Sequence, residues 1–214
     1  MQWSFKREVA RKVIHFLSLF ILLFYFWVAE FFNPDTALTI LVFVLIFFLF
    51  LEYIRLEVSE NIPLLGRLWK YVRRDKEKKS LGGEIYFLIG AIIVLAVFDP
   101  RIAVAAILMT IFGDMAAALV GKRFGKHYIS FLKEKAWEGV LAQFFVDIVM
   151  GVFVFFFLTG GSFLDIKLWI VVVVMSLTAT VTETLISKID DNLLVPLFAG
   201  FDGHITLLLL SLLL

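Results

Sequence analysis

Asp114 and Glu183 are carboxylates inside apolar runs long enough to cross a bilayer, each within two turns of the same membrane face as judged from the charge pattern. An ionised group in hydrocarbon is costly, so such residues face a bundle interior, pair with another charge or hold a cation. Around them stand Lys135-Ala-Trp-Glu138-Gly139 and, after Glu183, Asp190-Asp191-Asn192. Acid, base and acid on one side of a membrane protein is chemistry for a cation and a phosphate. Oxygen-rich clusters suit Mg2+, which keeps several waters and is shared with substrate phosphates. Asp114 and Glu183, with Asp190 and Asp191, are the expected metal ligands.

Spacing refines this set. Ser176, Thr180, Glu183, Ser187 and Asp190 recur at intervals of four, three, four and three, which places them on one helical stripe. Gly113, Ala117 and Gly121 recur at spacing four and leave one face of their helix bare. Such a face permits close helix packing or the close approach of a nucleotide, and the residues leave both open. Lys135 is either a topology charge or a group placed to reach a polyphosphate held above Asp114. Glu138 falls in the first turn of a helix, where the dipole favours a carboxylate as a cap or as a site residue. Gly121-Lys-Arg-Phe-Gly125-Lys126 fails as a Walker phosphate loop: it is one residue short, His127 stands where Ser or Thr belongs, and it follows a helix rather than a strand. As a basic loop, Lys122, Arg123 and Lys126 can still hold phosphate by charge. His15, near the start of the first helix, is a helix-contact hydrogen bonder or a base. Gln143, Asp147 and Asp202 lie deeper and have no role that spacing assigns.

These residues need a scaffold, and composition names it. The 214 residues are 62% hydrophobic with 25 Phe, far above a soluble domain, and mean hydropathy is +0.98. The length allows one integral-membrane catalytic domain over 1–214 and leaves no stretch for a separate soluble one. No cysteine is present, which excludes disulfides, thiol catalysis, Cys-ligated zinc and iron–sulfur clusters. A net charge of +1 gives no strong attraction to nucleic acid. The first apolar run is too long for a signal-peptide core and has no small-residue cleavage site after it.

About 20 apolar residues cross a bilayer, and the pattern predicts seven spans near 13–32, 36–54, 82–98, 102–120, 138–159, 168–186 and 194–213. Asn33-Pro-Asp35, Asp99-Pro-Arg101 and Gly160-Gly-Ser162 break the runs. Of the 20 Lys and Arg residues, only Arg101 and Lys167 fall on one side. By the positive-inside rule this predicts N-in/C-out topology in the cell membrane, with the site on the cytoplasmic side. Within the long inside loop, Asn61 can cap and Pro63 can open a short helix. Ile62, Leu65, Trp69 and Val72 recur at helical spacing beside Arg67, Lys70, Arg73 and Arg74, the pattern of an amphipathic helix on the inner leaflet. The expected fold is an all-α polytopic bundle of seven transmembrane helices with this short interfacial helix.

In order along the chain, Arg11-Lys-Val-Ile-His15, the basic run into Ser80-Leu-Gly-Gly-Glu84-Ile-Tyr86, Gly113-Asp-Met-Ala-Ala117 with Gly121 and Gly125, Lys135-x-x-Glu138-Gly139, and Glu183 with Asp190-Asp-Asn192-x-x-x-Pro196 resemble the CTP-dependent lipid kinases. That family comprises dolichol, phytol, diacylglycerol and polyprenol kinases. Each motif is weak singly, and jointly they are fairly specific. The resemblance implies transfer of the γ-phosphate of CTP to a membrane lipid alcohol on the cytoplasmic face, in a compact prokaryotic form. It makes Asp114, Lys135, Glu183 and His15 the catalytic candidates. Gly113, Ala117, Gly121, Lys122, Arg123, Gly125, Lys126, Lys135, Glu138 and Gly139 become candidates for holding CTP. A lipid-phosphate cytidylyltransferase would use the same metal-and-base set, and motif order favours the kinase. A small-solute transporter tends to show inverted repeats and a midplane site. Here no repeat is visible, the span count is odd and the polar groups mass at one face.

Overall fold

Turn chemistry decides where the helices start. The computed structural model describes residues 9, 12, 16–58, 81–130, 132, 135–186 and 189–213. After α1 (Leu19–Phe31), Asn33 Oδ1 accepts from the Thr36 amide at 2.7 Å and Pro34 opens α2 (Pro34–Val58). Following α3 (Gly83–Val97), Asp99 caps α4 (Pro100–Leu108) by accepting from the Arg101 amide, with Pro100 in the first turn. Proline is favoured there because its missing N–H has no intrahelical partner to lose. The expected spans at 36 and 102 therefore begin at the prolines rather than beyond them.

A π-helical stretch, Met109–Gly113, joins α4 to α5 (Asp114–Phe124), and the three form one rod. The extra residue in a π turn rotates everything after it, and such insertions recur at functional sites. Thr110 Oγ1 donates to Ala106 O at 2.8 Å within the rod. Next come α6 (Trp137–Val152), which runs on through a second π stretch, Phe153–Leu158, then α7 (Ile166–Leu185) and α8 (Asp191–Leu213). Gly160, with φ of 69°, turns the chain from α6 toward α7 in a conformation that Cβ disfavours.

Among the described residues, five rods are long and apolar enough to cross a membrane: Pro34–Glu57, Pro100–Phe124, Trp137–Leu158, Ile166–Leu185 and Asp191–Leu213. Leu19–Phe31 and Gly83–Val97 are shorter apolar helices. The protein is an all-α membrane bundle, and among the described residues its one extended pairing is an isolated bridge between Tyr128 and Ala136. The expected interfacial helix between Ile62 and Arg74, with His15 and Ser187, lies outside the described residues.

The rod carrying α4 is the core. Ile102, Ala103, Ala105 and Ala106 are wholly buried, packed in one cluster with Val154 and Phe155 and with Val171, Val172 and Met175 of α7. Small residues let these helices approach closely; Gly151 lies against Val172 and Met109. By contrast α2 turns Phe43, Ile46, Phe47 and Phe50 outward. In water such a surface would be a large sticky patch, and in a bilayer it is the lipid-facing side. In α8, Pro196 cannot donate to the carbonyl of Asn192. A Cβ on Gly90 of α3 would sit 3.1 Å from that oxygen, so the bare glycine lets α3 close on the exposed carbonyl.

Candidate functional site

Three helices each deliver one carboxylate to the same end of the bundle. Asp114 opens α5, Glu183 lies in the last turn of α7, and Asp191 opens α8. One oxygen from each lies within 4.8 Å of the others. Two like charges 4 Å apart repel by about 4 kcal/mol at the effective dielectric of a partly wet site. Three carboxylates held this close therefore call for cations. Their spacing and all-oxygen chemistry fit a hard divalent ion such as Mg2+, whose remaining positions go to water or phosphate.

Two lysines from distant segments supply part of that charge. Lys12, 2% exposed, forms an ion pair with Asp114. Lys135 Nζ lies 3.0 Å from Glu183 Oε2 and also donates to the Glu183 carbonyl. A pinched loop puts Lys135 there. The Ile129 amide donates to Lys135 O and the Trp137 amide to His127 O, both at 2.9 Å, which brings Lys135 and Trp137 back beside Ile129 and His127 ahead of α6. Glu138 locks this loop: its Oε1 lies 2.7 Å from His127 Nδ1 and 3.2 Å from the His127 amide. Among the described residues, three acids against two lysines leave the cluster net negative, as a cation site requires.

The structure separates other candidates from this centre. Asp190 Oδ1 accepts from the amide of Asn192 at 3.1 Å and from its Nδ2 at 2.8 Å, so Asp190 caps α8 while Asp191 enters the cluster. The bare stripe is filled by a helix. A Cβ on Gly139 would lie 2.7 Å from Ala117 O and 3.1 Å from Gly121 Cα, and one on Gly113 would collide with Asp147 Oδ1. Gly113, Ala117, Gly121 and Gly139 thus press α5 against α6, the packing use that their spacing had left open. Gly125 allows the chain to pass Ala136 at the base of the loop. Lys122, Arg123 and Lys126 stand exposed at the end of α5, on the rim of the cluster's end of the bundle.

The partners of Lys12 and of Glu52 were not foreseen from sequence, and two deeper acids named there without a role, Asp147 and Asp202, find theirs in the bundle. Lys12 lies in the Arg11-Lys-Val-Ile-His15 stretch and counts among the inside charges; nothing in that stretch marks it as the partner of Asp114. Glu52 and Arg55 form a buried pair, with Arg55 Nε 2.8 Å from Glu52 Oε2, and Glu52 Oε1 also accepts from the Gly82 amide at 2.9 Å, which ties α2 to the start of α3. Deeper in the bundle, Asp147 accepts from Thr180 Oγ1 at 3.2 Å and Asp202 from Thr178 Oγ1 at 2.7 Å, joining α7 to both of its neighbours.

The chain is 30% identical over 154 residues to a CTP-dependent diacylglycerol kinase 1 from Schizosaccharomyces pombe, covering 65% of this chain and 69% of that protein. A probable chloroplastic phytol kinase from Triticum aestivum is 30% identical over 133 residues, 58% of this chain and 44% of the relative. The CTP-dependent diacylglycerol kinase 1 of Saccharomyces cerevisiae is 26% identical over 161 residues, 75% of this chain and 55% of the relative. The chain thus spans about half the length of the last two. No family model and no solved structure matches it.

Proposed function

Because the chain belongs to the CTP-dependent lipid kinase family, we propose that it transfers the γ-phosphate of CTP to the hydroxyl of a membrane lipid alcohol at the end of the bundle where Asp114, Glu183 and Asp191 meet. The observation that carries this is the convergence itself: three carboxylates from three helices, within 4.8 Å of one another, flanked by two lysines. Diacylglycerol and prenols of the phytol, polyprenol or dolichol type are the acceptor class. The excess of Lys and Arg in the segments at this end supports a site on the cytoplasmic side, where CTP is available.

Phosphoryl transfer asks a protein for positioning and charge neutralisation more than for covalent chemistry. Asp114, Glu183 and Asp191 would hold a divalent cation, which when bound screens phosphate oxygens and the leaving diphosphate. Lys12 and Lys135 are the cations nearest those carboxylates and suit the polyphosphate, with Lys122, Arg123 and Lys126 on the rim. The lipid oxygen forms a bond to the γ-phosphorus as the bond to the β-phosphate oxygen breaks. CDP leaves, and the hydroxyl proton passes to a carboxylate of the cluster or to His15. The acyl or prenyl chain stays in hydrocarbon while its hydroxyl reaches the polar end from the side.

Product analysis tests the reaction. With a lipid alcohol and CTP, the products should be CDP and a lipid monophosphate carrying the γ-label. If only phosphorylated lipid reacts, pyrophosphate is released and the α-label enters the lipid, the protein is a cytidylyltransferase built on the same residues.

A further inference from the structure

Behind the carboxylates, the seam between α6 and α7 holds four polar atoms with no hydrogen-bond partner among the described residues: Gln143 Oε1, Asp147 Oδ1, Ser176 Oγ and Thr184 Oγ1. Asp147 and Ser176 are fully buried and Gln143 is 1% exposed. Their register follows from two contacts. Thr180 Oγ1 donates to Asp147 Oδ2 at 3.2 Å, and one turn along α6 Gly151 lies against Val172. The helices are therefore antiparallel. Ser176 and Thr180 face the level of Asp147, and Thr184 faces that of Gln143. Asp147 and Gln143, one turn apart, both rest on Gly113, where a Cβ would strike Asp147 Oδ1 and lie 3.2 Å from Gln143 Cγ.

An ionised carboxylate with one neutral donor and no exposure is strongly destabilising unless something compensates its charge. Among the described residues Asp147 has no ion-pair partner. The acids on the elements packed around it are Glu183, one turn from Thr180, and Asp114, next to Gly113. Each is already held by a lysine, Lys135 and Lys12, and Lys122, Arg123 and Lys167 stand at the far ends of α5 and α7. Every donor in the seam is oxygen, which selects hard cations. One carboxylate among neutral oxygens balances a single positive charge, whereas a divalent ion would leave a buried charge uncompensated.

We propose that Asp147, Gln143, Ser176, Thr180 and Thr184 form a second cation site, behind the carboxylate cluster, that takes an alkali cation. Its occupancy holds Asp147 against Gly113 and so steadies the π-helical stretch that presents Asp114. The site stands apart from the phosphoryl-transfer reading, since it is defined by binding and not by turnover.

Thermal unfolding of the purified full chain in detergent tests it, with N-methyl-D-glucamine chloride replaced stepwise by NaCl or KCl at constant ionic strength. At least one alkali salt should raise Tm by several degrees and saturate. Asp147→Asn should remove that response, and Ser176→Ala should move its midpoint to roughly tenfold higher concentration. Identical Tm values in all three salts would overturn the proposal, as would an alkali response that survives in Asp147→Asn. A parent indifferent to alkali salt, with an Asp147→Asn protein of equal stability, would overturn the site and show that the seam holds a neutral acid instead. Should Asp147→Asn fail to fold, Ser176→Ala decides alone, and an unchanged midpoint overturns the site.

Discussion

At one end of the α4–α5 rod, Asp99 pairs with Arg101, two residues away, at 3.0 Å. Further along the same rod, Asp114 pairs with Lys12, which comes from the start of the chain. The first pair costs little to bring together, because the helix start that uses Asp99 as its cap already places both groups. The second exists only after the first helix, the central rod, α7 and α8 have assembled, and it packs an acid beside two more acids. Glu52 with Arg55, three residues apart, belongs with the first kind, and Lys135 with Glu183 with the second. Local pairs finish helix ends; distant pairs converge on the three carboxylates. A fold that spends assembly on bringing like charges within 4.8 Å gains no stability by it, so the cluster points to a ligand.

Substitutions can break this contrast, and the largest effect belongs to the distant pairs. Asp114→Asn should lower lipid phosphorylation by roughly 10²-fold or more while the protein stays folded and membrane-inserted, since a charge is lost at constant volume. Near-normal turnover at limiting Mg2+ would remove Asp114 from the metal. Glu183→Gln should match it, and the double variant should lose little beyond either single one, because groups serving one ion are not additive. Multiplying losses would mean two separate sites. Lys135→Ala should raise KM for CTP about tenfold, about 1.4 kcal/mol, with a smaller effect on KM for the lipid. Unchanged kinetics would return Lys135 to the role of a topology charge.

The smallest effect lies at the local pair. Asp99→Ala should leave activity intact and cost about 1 kcal/mol as a lost helix cap, read as a Tm drop of about 2–4 °C. Burial raises the Asp99 carboxyl, yet the hydrogen bonds and charge of Arg101, with His204 nearby, hold it below its ordinary value. A depressed folded value means that this contribution is present above the unfolded carboxylate range and fades as pH falls through the folded value. The Tm difference between parent and variant should therefore shrink below about pH 4. A difference that grew on acidification would contradict the sign.

Much of this was legible in the sequence because hydrocarbon is an unforgiving solvent. Asp114, Glu183, Lys135 and Asp191 stood out as charges in or beside apolar runs, and Asn33-Pro34 and Asp99-Pro100 marked helix starts through their own local chemistry. Long-range pairing was not legible. Lys12 looks like any other basic residue of its segment until the α5 helix lies beside it. The choice between Asp190 and Asp191 turned on which carboxylate caps α8, a matter of one residue at a helix end. The π stretch before Asp114 leaves no periodic mark, since it inserts a single residue into an otherwise regular helix. Gly113, Ala117 and Gly121 announced a bare face, and only the approach of Gly139 showed what covers it.

Whether three distant carboxylates act as one cation site is read from Mn2+ binding to the purified protein, measured by electron paramagnetic resonance. One Mn2+ should bind per chain and be displaced by Mg2+, with affinity lost to a similar degree in Asp114→Asn, Glu183→Gln and Asp191→Asn and retained in Asp99→Ala. Undiminished binding in any one of the three carboxylate variants, or loss of binding in Asp99→Ala, would contradict it.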